Sequence, residues 1–355
     1  MRTSSPSHPV RLEDVARRVG VSASTASRAL NGLGELSDDT RAAVLRAARE
    51  LNYRPSRVAR SLRTRVTMTI GLVVPTISHP FYGAVTHGAQ SVLDRDGYSV
   101  VLVDSGDDPA AVMRAIEVLL SHGVDGLLVC TAPLGGGAGG RSLVELAARR
   151  PCVFIDEVAP GAGVGDVVLD NGVGVSMLVD HLVEHGHSRI GYVGGPEDRT
   201  SGLERRRGFF DAAARHRLPA LDGAVREGVW TVGSGFEQGA CLLTLPQPPT
   251  AIVTASAELA LGVLAAARRL RIRVPDELAL VCFDDPFFAP LLEPSLTCVA
   301  YDTRAIGAEG ARLLLAAIEG RSNQASETRV PVHLVKRRSC GCRYDPAFEV
   351  AELLS

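Results

Sequence analysis

The 355-residue chain lacks the features that mark membrane and secreted proteins. It has no run of 18 apolar residues, so no membrane-spanning helix is expected. Its opening residues, Met1 to Ser5, lack the apolar core of a secretory signal. Its seven cysteines are scattered, and most lie within apolar strand-like runs, which is typical of buried thiols in a reducing compartment. The sequence therefore predicts a cytoplasmic protein.

The signals of an enzyme and of a metal site are also missing. A nucleotide-using α/β enzyme needs a glycine-rich phosphate loop after its first strand, and residues 74–78 contain no glycine. No Gly-x-Ser-x-Gly elbow lies at a strand-to-helix turn. Cys340 and Cys342 have no further pair of ligands in the sequence around them, which makes a poor zinc site. We therefore expect no catalytic residue, no cofactor and no metal.

What the chain does have is a basic first section ahead of an acidic remainder. Residues 1–66 hold 13 arginines and 6 acidic residues, a balance of +7, whereas the remainder has a balance of −9. A basic section joined to an acidic body suggests a surface for a polyanion, usually nucleic acid.

Apolar spacing within the basic section predicts three short helices. The first has apolar residues at i, i+3, i+4 and i+7, namely Leu12, Val15, Ala16 and Val19. Gly20 should end it in a left-handed conformation, and Ser22 and Ser37 should cap the second and third helices. The second helix turns Ala23, Ser24 and Arg28 outward. A helix, a four-residue turn and a second helix form the geometry that sets a recognition helix into the DNA major groove.

The section ends in a hinge that is helical in composition but too short to be stable alone. Pro55 suits a first helical turn, and residues 55–63 have good helix formers. Nine residues do not hold a helix in water, so this segment should form one only with a partner.

From residue 68 onward, short apolar runs alternate with helical patterns. The expected strands are residues 70–74, 100–103, 126–129, 153–155, 190–193, 251–253 and 278–283, with helices between them. This alternation predicts two doubly wound α/β lobes with a cleft at the carboxyl ends of the strands.

The fixed-spacing elements of the first section resemble a known family. They are Asp14-Val15-Ala16, Gly20-Val21-Ser22, Thr25, Ser27-Arg28, Leu30-Asn31, Asn52-Tyr53, Pro55, Ala59 and Leu62. They are similar to the DNA-binding head and hinge of the LacI/GalR family of bacterial regulators, and the similarity covers about residues 10–342. It implies an α/β fold with a three-helix helix-turn-helix head and a hinge helix, then a two-lobed body like periplasmic binding proteins, with three crossings between lobes.

The resemblance also gives domain boundaries. Residues 1–9 form a disordered tail, 10–54 the head, 55–66 the hinge, 67–342 the effector-binding and dimerisation core, and 343–355 a C-terminal tail. Lobe 1 takes about residues 67–168 and 300–328, and lobe 2 about 169–299 and 329–342. The tail shows no heptads, so a coiled-coil tetramer is not expected.

The resemblance implies the DNA-contacting residues position by position. They are Ser22, Ala23, Ser24, Thr25, Arg28, Asn31, Tyr53, Ser56, Arg57, Leu62 and Arg63. Arg28 has the length and donors to bridge O6 and N7 of a guanine, whereas Ser22, Thr25 and Asn31 are better placed for phosphates. Leu62 should wedge into the minor groove at the centre of a palindrome.

The implied effector-binding residues lie at strand ends and helix starts. They are His79, Phe81, Tyr82, Asp156, Arg199, Ser201, Arg205, Trp230, Ser256 and Asp284. Carboxylates, arginines and a stacking ring suit a polyhydroxylated ligand. His79 replaces the family's usual Asn or Ser, and Ala257 stands where a carboxylate is usual. A common sugar contact is therefore expected to be missing, which leaves an anionic or purine-like ligand open.

These observations predict a ligand-responsive repressor that binds a pseudo-palindromic operator as a homodimer and acts at the nucleoid. A carbohydrate-type operon is the leading expectation, and a purine or other non-sugar effector is the alternative. A transporter's solute-binding protein would have a signal sequence and would lack a basic head. An α/β enzyme would have a glycine-rich phosphate loop or a Gly-x-Ser-x-Gly elbow. Both are therefore remote alternatives.

Overall fold

The computed structural model describes residues 10–30, 32, 34–53, 66–106, 108–130, 145, 150–158, 165–219, 221–321 and 326–342. Internal contacts divide the chain into two compact units, residues 1–67 and 68–355, which we describe separately.

The first unit contains three helices around a small apolar core. They are α1 (Leu12–Val19), α2 (Ala23–Leu30) and α3 (Asp38–Glu50). Val15, Ala26 and Val44 are fully buried between them. Gly20 ends α1 with a φ of 77°. The hydroxyl of Ser22 accepts from the Thr25 N–H at 3.1 Å, and that of Ser37 accepts from the Thr40 N–H at 3.3 Å. The predicted caps are therefore confirmed.

The second unit is built on two six-stranded sheets. The first contains β1 (Thr69–Val74), β2 (Ser99–Asp104), β3 (Gly126–Val129), β4 (Cys152–Ile155), β5 (Gly165–Leu169) and β11 (Ser326–Val330), in the order β11-β5-β4-β3-β1-β2. The second contains β6 (Ile190–Gly194), β7 (Val225–Glu227), β8 (Ala251–Thr254), β9 (Ala279–Phe283), β10 (Thr297–Ala300) and β12 (His333–Val335), in the order β12-β10-β9-β8-β6-β7. All pairs are parallel except that of β10 with β12.

Helices cover both sheets. The first lobe carries α4 (Pro80–Leu93), α5 (Pro109–Ser121) and α10 (Thr303–Ile318). The second carries α6 (Asn171–Glu184), α7 (Thr200–Arg215), α8 (Val232–Leu243) and α9 (Ala257–Leu270). Two short 3-10 helices, Asp94–Asp96 and Ala289–Leu291, complete the described elements.

The chain crosses between the lobes after β5, after β10 and after β11. The predicted fold class, a helix-turn-helix head followed along the chain by two doubly wound lobes, is confirmed. Five described strands, β5, β7, β10, β11 and β12, were not among those expected from apolar runs, because they are short or carry polar residues. Among the described residues, no helix combines the length and the apolarity that crossing a membrane requires.

Candidate functional site

The outward face of α2 presents a short polar surface. Ser24 and Arg28 are exposed, as predicted. The prediction that Ala23 also faces outward is wrong, because Ala23 packs half-buried against the head core. The Ser22 hydroxyl lies 2.8 Å from the hydroxyls of both Ser24 and Thr25, so capping fixes these side chains at the start of the helix. An exposed arginine beside short side chains leaves α2 free to approach another molecule closely.

Tyr53 belongs to the packing of the head. Its N–H donates to the carbonyl of Ala48 at 2.8 Å, and its ring packs on the head core. Burial and then the nearby charge of Glu13 raise its pKa. The remaining predicted DNA contacts, Asn31, Ser56, Arg57, Leu62 and Arg63, lie outside the described residues.

The two lobes enclose a cavity of about 470 Å³. All ten predicted effector residues line it: His79, Phe81, Tyr82, Asp156, Arg199, Ser201, Arg205, Trp230, Ser256 and Asp284. They come from strand ends and helix starts of both sheets. A larger groove of about 810 Å³ lies on the second lobe between α8, α9 and residues 291–294, but its lining is mostly apolar.

Each lobe contributes one aspartate held in a left-handed backbone conformation. Asp156 follows β4 with a φ of 69°, and Asp284 follows β9 with a φ of 75°. Non-glycine residues at such angles are uncommon and are concentrated at functional sites. The two aspartates, one from each lobe, line the same cavity.

Arg205 is buried beside Asp284. Its Nη1 donates to the carbonyl of Ala255 at 2.6 Å, and its Nε donates to Asn171 Oδ1 at 2.8 Å. Nη1 also lies 3.8 Å from Asp284 Oδ2, and the guanidinium stacks 3.8 Å over the centre of the Phe283 ring. Arg205 therefore supports the cavity wall as well as facing the cavity.

The pKa values of both cavity aspartates are raised. Burial raises the pKa of Asp156 to about 6, against the opposing effect of Arg205, and burial also raises the pKa of Asp284. Asp156 Oδ1 is buried and has no hydrogen-bond partner among the described residues. An unpaired buried acceptor facing a cavity suits a hydroxyl donor on a ligand.

Polar contacts join the lobes on both sides of the cleft. Glu157 Oε2 accepts from the N–H of Thr200 at 2.6 Å and Oε1 accepts from the Ser201 hydroxyl at 2.8 Å, so the first lobe caps α7 of the second. Burial, with the charge of Asp156, raises the pKa of Glu157 to about 7. On the other side, His79 Nε2 lies 3.0 Å from Glu258 Oε1.

Glu157, Glu258 and Tyr301 line the cavity without having been predicted. Glu258 supplies a carboxylate to the cavity one residue beyond Ala257, the position where the family usually has one. Its hydrogen bond with His79 raises the pKa of His79 and lowers that of Glu258. The Tyr301 hydroxyl donates to Asp284 Oδ1 at 2.6 Å.

The ring of Trp230 forms one wall of the cavity. A Cβ added at Gly195 would lie 2.2 Å from this ring, so only glycine allows the contact. The Arg205 guanidinium lies 5.7 Å from the ring centre. The exposed remainder of the ring faces the cavity, where a flat ligand face can stack on it.

A helix-turn-helix head attached to a two-lobed ligand-binding body defines a class of bacterial transcriptional regulators. Residues 11–56 match the model of bacterial regulatory proteins of the lacI family, and residues 179–340 match that of the periplasmic binding protein-like domain. The chain is 31% identical to the HTH-type transcriptional repressor PurR of Haemophilus influenzae, over 92% of this chain and 98% of that protein. It is 31% identical to the repressor CytR of Escherichia coli K12, over 92% of this chain and 95% of that protein.

Solved structures agree with this similarity. The lac repressor dimer bound to operator and an anti-inducer superposes with a TM-score of 0.85 at 30% identity, covering 94% of this chain and 99% of that one. The complex of the regulator CelR with cellobiose superposes with a TM-score of 0.71 at 30% identity, covering 93% of this chain and 99% of that one. The chain belongs to the LacI/GalR family of transcriptional regulators. The relatives named here are repressors or regulators and not enzymes.

Proposed function

We propose that this protein is a cytoplasmic, nucleoid-associated homodimeric repressor that binds a pseudo-palindromic operator with its head and a small polar effector in its cleft. The observation that carries the proposal is the constellation of Asp156, Asp284, Arg205 and Trp230, which joins both lobes around one cavity. The α2 surface with Ser24 and Arg28 supports the DNA-binding part.

The chemistry of the cavity favours a ligand with several hydroxyl groups. Two carboxylates accept hydrogen bonds from neighbouring hydroxyls, and Trp230 offers a face for a ring. A sugar or sugar derivative fits this set best. A purine or nucleoside is the second candidate, favoured by Arg199 at the start of α7 and by the name of the PurR relative.

Effector binding reaches the DNA through the lobes. A ligand held by Asp156 on one lobe and Asp284 on the other favours one relative orientation of the two, and so changes the spacing of the two heads in a dimer. The coupling is reciprocal, so operator DNA changes effector affinity by the same factor as the effector changes operator affinity.

A ligand screen tests the effector class. The expected result is that a sugar or nucleoside raises the melting temperature and changes the emission of Trp230, the only tryptophan in the chain. The substitution Trp230→Phe removes the fluorescence signal but keeps the thermal shift. A panel of sugars and nucleosides that leaves both signals unchanged at millimolar concentration contradicts the proposed ligand chemistry.

Replacing Arg28 by alanine is expected to weaken operator binding by about 1–3 kcal/mol and to relax base preference, because a bidentate contact to guanine is lost. Fluorescence anisotropy on operator and on random DNA measures both effects. The control is Arg46→Ala, which removes an exposed arginine of α3. Equal losses on the two DNAs would assign Arg28 to a phosphate instead of a base.

A further inference from the structure

A cluster of histidine and cysteine side chains lies on the second lobe and contributes nothing to the cavity described above. His181 and His185 stand one helical turn apart at the end of α6, with ring centres 4.4 Å apart. Cys342 comes from the segment after β12, with its Sγ 3.4 Å from His181 Nε2 and 3.1 Å from His185 Nε2. Cys340 Sγ lies 3.0 Å from Cys342 Sγ.

We propose that His181, His185 and Cys342 bind a zinc ion. Their ligand atoms all lie within 4.8 Å of one another. In a tetrahedral zinc site a sulfur and a nitrogen ligand are about 3.5 Å apart, given bond lengths near 2.3 and 2.0 Å. The two observed sulfur–nitrogen distances are close to this value, so zinc fits with small side-chain movements.

A backbone hydrogen bond prepares the ligating nitrogen of His185. His185 Nδ1 lies 2.8 Å from the carbonyl oxygen of His181 and donates to it, which leaves the lone pair of Nε2 facing Cys342. Such a hydrogen bond to the second nitrogen is the usual support of a metal-binding histidine. His181 is buried, with 2% of its surface exposed.

Cys342 is half-buried, and its Sγ lies within 3.4 Å of both Nε2 atoms. Zinc displaces the thiol proton on binding. His185 is exposed, so an ion can enter from solvent on that side. The expectation of no metal rested on two thiols without a second ligand pair, and α6 supplies that pair.

The site would fasten the chain after β12 to the end of α6, because its ligands come from both segments. Zinc bound only by the folded protein stabilises it. Neither effector binding nor operator binding depends on this site, so its failure would leave the proposed function intact.

The test uses the purified full-length chain. Elemental analysis after dialysis against zinc should give one zinc per chain, and cobalt should produce the near-ultraviolet absorption of a thiolate–cobalt bond. His185→Gln and Cys342→Ser should each remove the bound metal and the rise in melting temperature on adding zinc. His185 is exposed, so its replacement leaves the packing of α6 in place.

Two matched controls keep the test specific. His122 also follows a helix and has Nδ1 2.8 Å from the carbonyl oxygen four residues earlier, but lies outside the cluster, so His122→Gln should retain the metal. Cys241 is an exposed thiol, and the Cys241→Ser variant should also retain the bound metal. Loss of zinc in the controls as well, or a Cys340–Cys342 disulfide in place of any bound metal, would overturn the proposal.

Discussion

Replacing Arg205 by methionine is expected to lower the free energy of unfolding by about 3–5 kcal/mol and to abolish the effector response. Methionine keeps an apolar stem over the Phe283 ring but removes the guanidinium that faces Asp284 and the carbonyl of Ala255. Removing one partner of a buried charged group leaves the other charge uncompensated. Denaturant titration of the body measures the first effect and Trp230 fluorescence the second.

Two further variants separate stability from recognition. Arg207→Met changes an exposed arginine two positions further along α7. It should have little effect on the free energy of unfolding and on the effector response. Adding Asp284→Asn to Arg205→Met removes the uncompensated carboxylate, so part of the lost stability should return while the effector response stays absent. If Arg205→Met unfolds like the Arg207 control and responds to the ligand at wild-type concentration, the role assigned to Arg205 is wrong.

Replacing Asp156 by asparagine is expected to weaken effector binding and to raise the stability of the folded protein. Asparagine has the same shape and tolerates a φ of 69°, so the backbone should not move. Loss of a charged acceptor should weaken effector binding by about 1.5–3 kcal/mol, roughly 10- to 100-fold. The variant should nevertheless be more stable than the wild type by about 1 kcal/mol at pH 8, because a desolvated charge is removed.

The stability gain of this variant depends on pH in a defined direction. The pKa of Asp156 rises from 3.8 to about 6 on folding, so the folded wild type binds more protons than the unfolded chain between these values. Wild-type stability relative to the variant therefore falls as the pH rises from about 4 to about 6. Thermal unfolding of the wild type and the variant should be measured from pH 4 to pH 8. The difference in stability between them should appear between about pH 4 and about pH 6 and stay constant at higher pH.

Asp166→Asn is the matched control for this experiment. Asp166 lies on β5, also has a buried Oδ1 without a partner among the described residues, and has a pKa raised to about 7 by burial and then by Glu327. It does not line the cavity. Both substitutions should stabilise the protein at pH 8, but only Asp156→Asn should weaken the effector. Equal effector affinity in the two variants would remove Asp156 from the ligand site.

Local signals in the sequence were sufficient for the helix ends of the head, for the longer apolar strands and for much of the cleft. Gly20, Ser22 and Ser37 end or begin helices through interactions within a few residues, so their roles can be read from the chain. Asp156 and Asp284 follow apolar runs directly, and parallel strands bring their carboxyl ends to one edge. The ten residues around the cavity were therefore predictable from position and resemblance.

Only the tertiary structure decided what these residues touch. The resemblance predicted that Arg205 contacts the ligand. In the fold, Arg205 also donates hydrogen bonds to Asn171 and Ala255, which lie 34 and 50 residues away along the chain. Glu157 and Glu258 reach across the cleft because the two lobes face each other, and no local pattern encodes that distance.

The histidine–cysteine cluster shows the same limit most clearly. A pair of histidines at i and i+4 is visible in the sequence, as is the pair of thiols, but 157 residues separate His185 from Cys342. The spacing of each pair is a local property of a helix or a turn. Their meeting depends on β12 joining the second sheet beside α6 after the third crossing between the lobes, and this long-range packing determines which donors share one site.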